Sequence, residues 1–216
     1  MAYGEGLWDH TPLSAKEKRA ITKEWQERVP ELYAYKPGHL AEIIGPFAIE
    51  IYHKPSRDIY YPTLVIMNLA YEAEAQYLAW YEKFERMSRY TKEPRKDKMA
   101  ELLRSESPLP WGKNLEHDFV MERLKEFFAV NHNYHSSWVL GLAVVLESYC
   151  GKSEEEIRSM LKDDCWYCKN SNYRAECQPD YIMDKFYVDS DVTRNIIEQQ
   201  IVRFKMMKCP RYEIIY

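Results

Sequence analysis

The spacing of hydrophobic positions changes period along this chain, and each change marks an element. At Ser14 the run Ser-Ala-Lys-Glu places Glu17 three residues after a hydroxyl, the arrangement of a helix capping box. Ile21, Trp25 and Val29 recur at four-residue spacing until Pro30, so a first amphipathic helix is predicted between those marks. The period then falls to two. Phe47, Ile49 and Ile51 alternate with Ala48, Glu50 and Tyr52, and a second run through Ile59, Tyr61, Leu64 and Ile66 follows the polar stretch 55–58. Two such runs around a turn predict an antiparallel hairpin over 46–67. Pro62 lacks an N–H and belongs at an edge or a bulge. A lone hairpin is marginal in water, so it must pack on helices or gain a strand from the extended tail 212–216.

From Leu69 the period lengthens again. Leu69, Ala73, Tyr77, Trp80, Tyr81, Phe84 and Met87 keep to one broad face, which predicts a helix over 69–89. A short helix is expected within 96–103. The loop 105–110 carries Pro108 and Pro110, which stop a helix, and 105–112 is the candidate hinge. Asn114 is the expected cap of a helix carrying Leu115, Phe119, Leu124 and Phe128. The segment 138–149 is apolar nearly all round, so it belongs at the centre of the molecule. Its longest apolar run, Trp138 to Leu146, falls well short of the roughly 20 residues a membrane span needs. Gly151 ends it, and Ser153 with Glu156 forms a second capping box opening a short helix to Leu161. Residues 162–181 read as irregular. A last helix over 191–206 turns Ile196, Ile197, Ile201 and Phe204 inward.

These elements predict a single domain, 1–216, of mainly α class: six to seven helices around the 138–149 helix, with a small antiparallel β-hairpin. An α+β fold with a minor sheet is the fallback.

Composition sharpens the picture in two places. Seven glycines in 216 residues leave few turns with positive φ, which favours helices joined by polar loops. Eighteen Tyr and six Trp make the chain rich in side chains that are enriched at protein interfaces. The clusters Tyr33–Tyr35 and Tyr60–Tyr61, with Tyr187, fall near expected loops or edges. The net charge of −4, from 30 basic and 34 acidic residues, gives no basic face for nucleic acid. The first ten residues hold Glu5 and Asp9 and no apolar run, unlike a secretory signal. Five cysteines without such a signal read as reduced thiols, so a cytoplasmic location is expected, with no membrane partner.

The thiols carry the one spacing that hints at chemistry. Cys165 and Cys168 stand in a C-x2-C pair, which lets one tight turn offer two thiolates to zinc. Cys177 and Cys150 are the candidates for the remaining ligands, with Cys209 and His135 as rivals. A second C-x2-C pair is missing, and free buried thiols are the competing reading. His117, His132 and His135 are the imidazoles that an enzyme would bring together with an acid, but no H-E-x-x-H spacing joins them. Glu154–Glu156 suits the first turn of a helix, where the macrodipole favours carboxylates. The chain has no G-x-S-x-G, P-loop or G-x-G-x-x-G run. With no catalytic residue assigned, the expectation is a non-enzymatic protein-binding protein, an inhibitor or antitoxin-like partner or an accessory subunit of a larger complex. A zinc-stabilised regulatory or structural protein and an enzyme of unidentified class are the alternatives.

Overall fold

The computed structural model describes residues 12–56, 59–71, 76–81, 86–88, 90–130, 136–162, 175 and 177–216. They form an α+β fold, which corrects the mainly α expectation and agrees with its fallback. Five antiparallel strands run side by side in the order β1 (Tyr33–Lys36), β2 (His39–Ile44), β3 (Phe47–Ser56), β4 (Ile59–Asn68) and β5 (Gln76–Tyr81). The short β6 (Met87–Ser88) adds to β4. A pair of parallel contacts closes the tail onto the body: β7 (Leu115–Glu116) pairs with β9 (Ile214–Ile215), and β8 (Arg211–Tyr212) pairs with β2.

The helix expected over 69–89 is the largest error of the periodicity. Asn68 accepts the Ala70 N–H on its own side chain at 2.9 Å and turns the chain there. The chain then returns as β5, with Ala79, Leu78 and Tyr77 opposite Val65, Ile66 and Met67. The far edge of β4 has a row of backbone donors and acceptors that a helix would leave unpaired, and Tyr and Trp suit a strand well. The expected hairpin is present as β3 and β4, with Pro62 opposite His53. It is the middle of the sheet instead of an isolated pair.

Seven helices are present among the described residues: α1 (Ala15–Arg28), α2 (Glu93–Ser105), α3 (His117–Val130), α4 (Ser136–Tyr149), α5 (Glu154–Met160), α6 (Pro179–Phe186) and α7 (Ser190–Arg203). Both capping boxes form. Ser14 Oγ accepts from the Glu17 N–H at 3.3 Å while the Ser14 N–H donates to Glu17 Oε2 at 2.8 Å, and Ser153 and Glu156 repeat the geometry. The apolar α4 is packed on α3, α5, α6 and α7, as its pattern requires. None of these helices is long and apolar enough to cross a membrane. Asn114 does not cap α3, because β7 intervenes; its side chain accepts the Glu213 N–H at 2.9 Å and anchors the tail. The 105–112 loop is stitched by Trp111 Nε1–H donating to Ser107 Oγ at 2.8 Å and by Arg123 Nε–H donating to the Pro108 carbonyl at 3.1 Å.

Two glycines frame β2. Gly38 (φ 86°) makes the turn from β1, and Gly45 (φ 52°) makes the turn into β3. A Cβ on Gly45 would also lie 2.6 Å from Ile214 of β9. α1 lies against β1 and β2, with Trp25 and Val29 fully buried beneath it.

Candidate functional site

Opposed residues on adjacent strands share a face, so the register sorts the sheet. His39 lies opposite Tyr52 and Ala41 opposite Glu50, which puts His39, Glu50 and Tyr52 on one face. Leu40, Glu42, Ile49, Ile51 and His53 belong to the other. Both faces are buried over most of β2 and β3. Two carboxylates, Glu42 and Glu50, are therefore wholly enclosed within otherwise apolar strands.

Glu50 is partnered. Tyr35 Oη–H donates to its Oε1 at 3.0 Å, and His39 Nδ1 makes a short hydrogen bond to the same oxygen. Tyr35 reaches it because the β1–β2 register slips between Ala34 and Lys36, which makes Tyr35 the bulged residue and re-aims its side chain. The His39 ring stacks on Tyr52, centroids 4.5 Å apart and planes 21° from parallel. With Nδ1–H donated to the carboxylate, Nε2 is the ring nitrogen left over. Glu50 Oε2 has no hydrogen-bond partner among the described residues.

The hairpin turn at Pro37–Gly38 is held by α1. Thr22 Oγ1 accepts the Gly38 N–H at 2.7 Å and donates to the Lys18 carbonyl at 2.6 Å. One helical turn on, Gln26 accepts the Ala34 N–H at 2.6 Å and donates to the Leu32 carbonyl. β2 begins only at His39, whereas β3 runs on to Ser56, so the last residues of β3 have no β2 beside them. A cavity of about 130 Å³ opens at that end of the sheet. Leu13, Lys18 and Ile21 line it from α1 and its approach, Pro37 and Gly38 from the turn. His39, Tyr52, His53 and Tyr60 line it from the strands.

His53 is the anomaly of the site. Its ring lies between Trp25, at 5.1 Å, and Tyr60, at 5.2 Å. Those two neighbours satisfy each other, Trp25 Nε1–H donating to Tyr60 Oη at 3.1 Å. His53 is 5% exposed, and neither ring nitrogen has a hydrogen-bond partner among the described residues. Burial, with His39 nearby, pushes its pKa down to about 3, so the ring is neutral at ordinary pH. Burial, against the Trp25 hydrogen bond, raises Tyr60 to about 12.

On the opposite side of the fold a second His–Glu pair forms. His117 Nε2 lies 3.2 Å from Glu147 Oε2 without hydrogen-bond alignment, and its Nδ1 is 3.0 Å from Asp118. Tyr216 stacks on the His117 ring at 4.6 Å and 14°, and its hydroxyl donates to Glu147 at 3.3 Å.

The residues singled out from sequence fare differently. Cys165, Cys168, His132 and His135 lie outside the described residues. Cys150, at the end of α4, is half-buried, and burial with Glu147 pushes its thiol up to about 11. Cys209 is buried, and burial with Glu50 raises it to about 12. Cys177 is half-buried. Among the described residues no three His, Cys, Asp or Glu side chains gather as a metal site. Tyr35 and Tyr60, noted as interface candidates, instead serve Glu50 and the wall of the cavity. His39, Glu50 and His53 carry no spacing motif. The signal available was a lone carboxylate in each of two apolar strands, with a histidine at the start of β2 and another toward the end of β3. The chain matches no family model, no curated protein and no solved structure.

Proposed function

We propose that this is a non-enzymatic binding protein that takes a small molecule into the cavity between α1 and the open end of β3. The observation that carries this reading is the cavity at the open end of β3, whose wall includes His53, a buried imidazole with neither nitrogen hydrogen-bonded among the described residues and neither open to solvent. Leaving such a group unpaired costs about 1–3 kcal/mol. His39, fixed by Glu50, adds an oriented ring nitrogen, and Tyr52 and Tyr60 add ring faces. The reading assigns recognition to these groups and no bond-making step. The experiment is a titration of single-ring fragments followed through the imidazole ¹⁵N signals. Saturable shifts of His39 and His53 together, lost when Ile21→Phe narrows the cavity in a folded variant, support it. Signals that stay fixed at millimolar fragment overturn it.

A second reading, contact with another protein as inhibitor, antitoxin-like partner or accessory subunit, is favoured by the C-terminal region. Val192, Val202, Met207, Ile215 and Tyr216 are all large, apolar and exposed within 25 residues. Where exposed apolar side chains gather, they mark interaction surfaces. Val202→Lys with Met207→Lys should abolish capture of the partner while leaving fragment binding at the cavity unchanged.

A further inference from the structure

Resting on the cavity reading above, we propose that the ligand is a single-ring organic acid, its anionic group at Lys18 and a ring hydroxyl or N–H directed at His39. Size sets the ring count. A cavity of about 130 Å³ is close to the ~150 Å³ that admits one benzene ring, so a fused bicycle is too large unless it protrudes. The walls set the shape: Ile21 and the rings of Tyr52 and Tyr60 offer flat or apolar surface, which suits an aromatic ring.

Charge sets the sign. Lys18 is the one permanently charged side chain among the described lining residues, and none of those residues is a carboxylate. Glu50 is shielded behind His39, outside the lining, with its charge directed into the His39 and Tyr35 hydrogen bonds. An anion entering therefore meets a cation and no opposing charge on the wall. A cationic ligand would face Lys18 with nothing to neutralise it. The interior sets the third group. His39 has Nδ1 taken by Glu50 and its Nε2 left over beside the cavity, whereas the His53 nitrogens are closed off. A hydroxyl or N–H across the ring from the acid serves His39 while the acid stays at Lys18.

The test is calorimetry on the full chain at neutral pH with three isosteric probes: 4-hydroxybenzoate, 4-hydroxybenzamide and 4-(aminomethyl)phenol. The acid should bind about fivefold more tightly than the amide, the scale of one half-exposed ion pair, and the amine should bind weakest. Lys18→Gln should erase the acid's advantage and leave the amide unchanged, and Lys18→Arg should restore it. Lys18 lies half-exposed in α1, so these variants retain the fold. An amide that binds as tightly as the acid, or an acid indifferent to Lys18→Gln, overturns the acid assignment and leaves the cavity reading standing. Failure of all three to bind, with the His39 and His53 signals unmoved, overturns both.

Discussion

The molecule builds the same trio twice and gives it opposite fates. In the sheet, His39 stacks on Tyr52 and is held by Glu50, which also accepts from Tyr35. Between α3 and α4, His117 stacks on Tyr216 and approaches Glu147, which also accepts from Tyr216. The first trio divides the labour between two tyrosines, and its imidazole borders a cavity. In the second, one tyrosine does both jobs and lies over the imidazole, with Lys152 5.6 Å from its ring centre. The residue types are therefore no guide to function here. What marks the first is the open volume beside its histidine, and that depends on where β2 begins relative to β3.

The largest expected effect concerns the group the first trio has and the second lacks. His53 folds with a pKa near 3 against an ordinary value of 6.5. As pH falls below 6.5 the unfolded chain takes up the proton first, so stability drops steadily until about pH 3. At 1.36 kcal/mol per unit, the loss is about 5 kcal/mol. His53→Phe, which keeps a ring between Trp25 and Tyr60, should flatten this acid limb in urea titrations. An unchanged limb would mean that His53 is not the buried neutral group described.

Next in size is the cost of deleting each carboxylate. Glu50→Ala removes the fully buried carboxylate that Tyr35 and His39 share and should lower the unfolding free energy by about 3 kcal/mol. Glu147→Ala leaves Tyr216 exposed to water and should cost about 1 kcal/mol. Equal losses would erase the contrast between the trios.

Glu42, on the other face of the sheet, sharpens the comparison because it is buried without a histidine. The Gly112 N–H donates to its Oε2 at 2.9 Å, and Oε1 has no partner among the described residues. Burial, against the Gly112 bond and with Glu31 adding, raises its pKa from 4.5 to about 7. As pH rises from 4.5 to 7 the unfolded state ionises first, so stability is lost over that window, by about 3 kcal/mol. Glu42→Gln should therefore stabilise the protein at pH 8 and leave it unchanged at pH 4. Between pH 4.5 and 6.5 this slope opposes that of His53, so the variant should also steepen the acid limb there.

The smallest effect is on access. Tyr216→Ala should cost less than about 1 kcal/mol, since the ring is 66% exposed. It should nonetheless raise the rate at which diethyl pyrocarbonate modifies His117 to that of His39. A His117 rate that does not move would show that Tyr216 is no cover.

Some of this was legible in the chain. The capping boxes at Ser14 and Ser153 formed because a hydroxyl and a carboxylate three residues apart satisfy each other locally. α4 was legible because a helix apolar all round has no solvent face. The β3–β4 hairpin was legible from period two. β1 and β2 were not: four and six residues are short, and β2 is buried on both faces, so its alternation is lost. β5 misled because Tyr77, Trp80 and Tyr81 fit a helical stripe as well as a strand, and only the unpaired edge of β4 decides between them. The cysteines attracted attention because their spacing was visible. His39, Glu50 and His53 escaped it because their meeting depends on register.

The sequence alone determined the elements whose energetics close within a few turns of chain: capped helices, a central apolar helix, a hairpin. The tertiary structure alone decided which strand pairs with which, and thereby which two histidines share a cavity. Local hydrogen bonds are written in neighbouring residues. A cavity at the end of a sheet is written in the mismatch between two strands, and no stretch of the chain contains it.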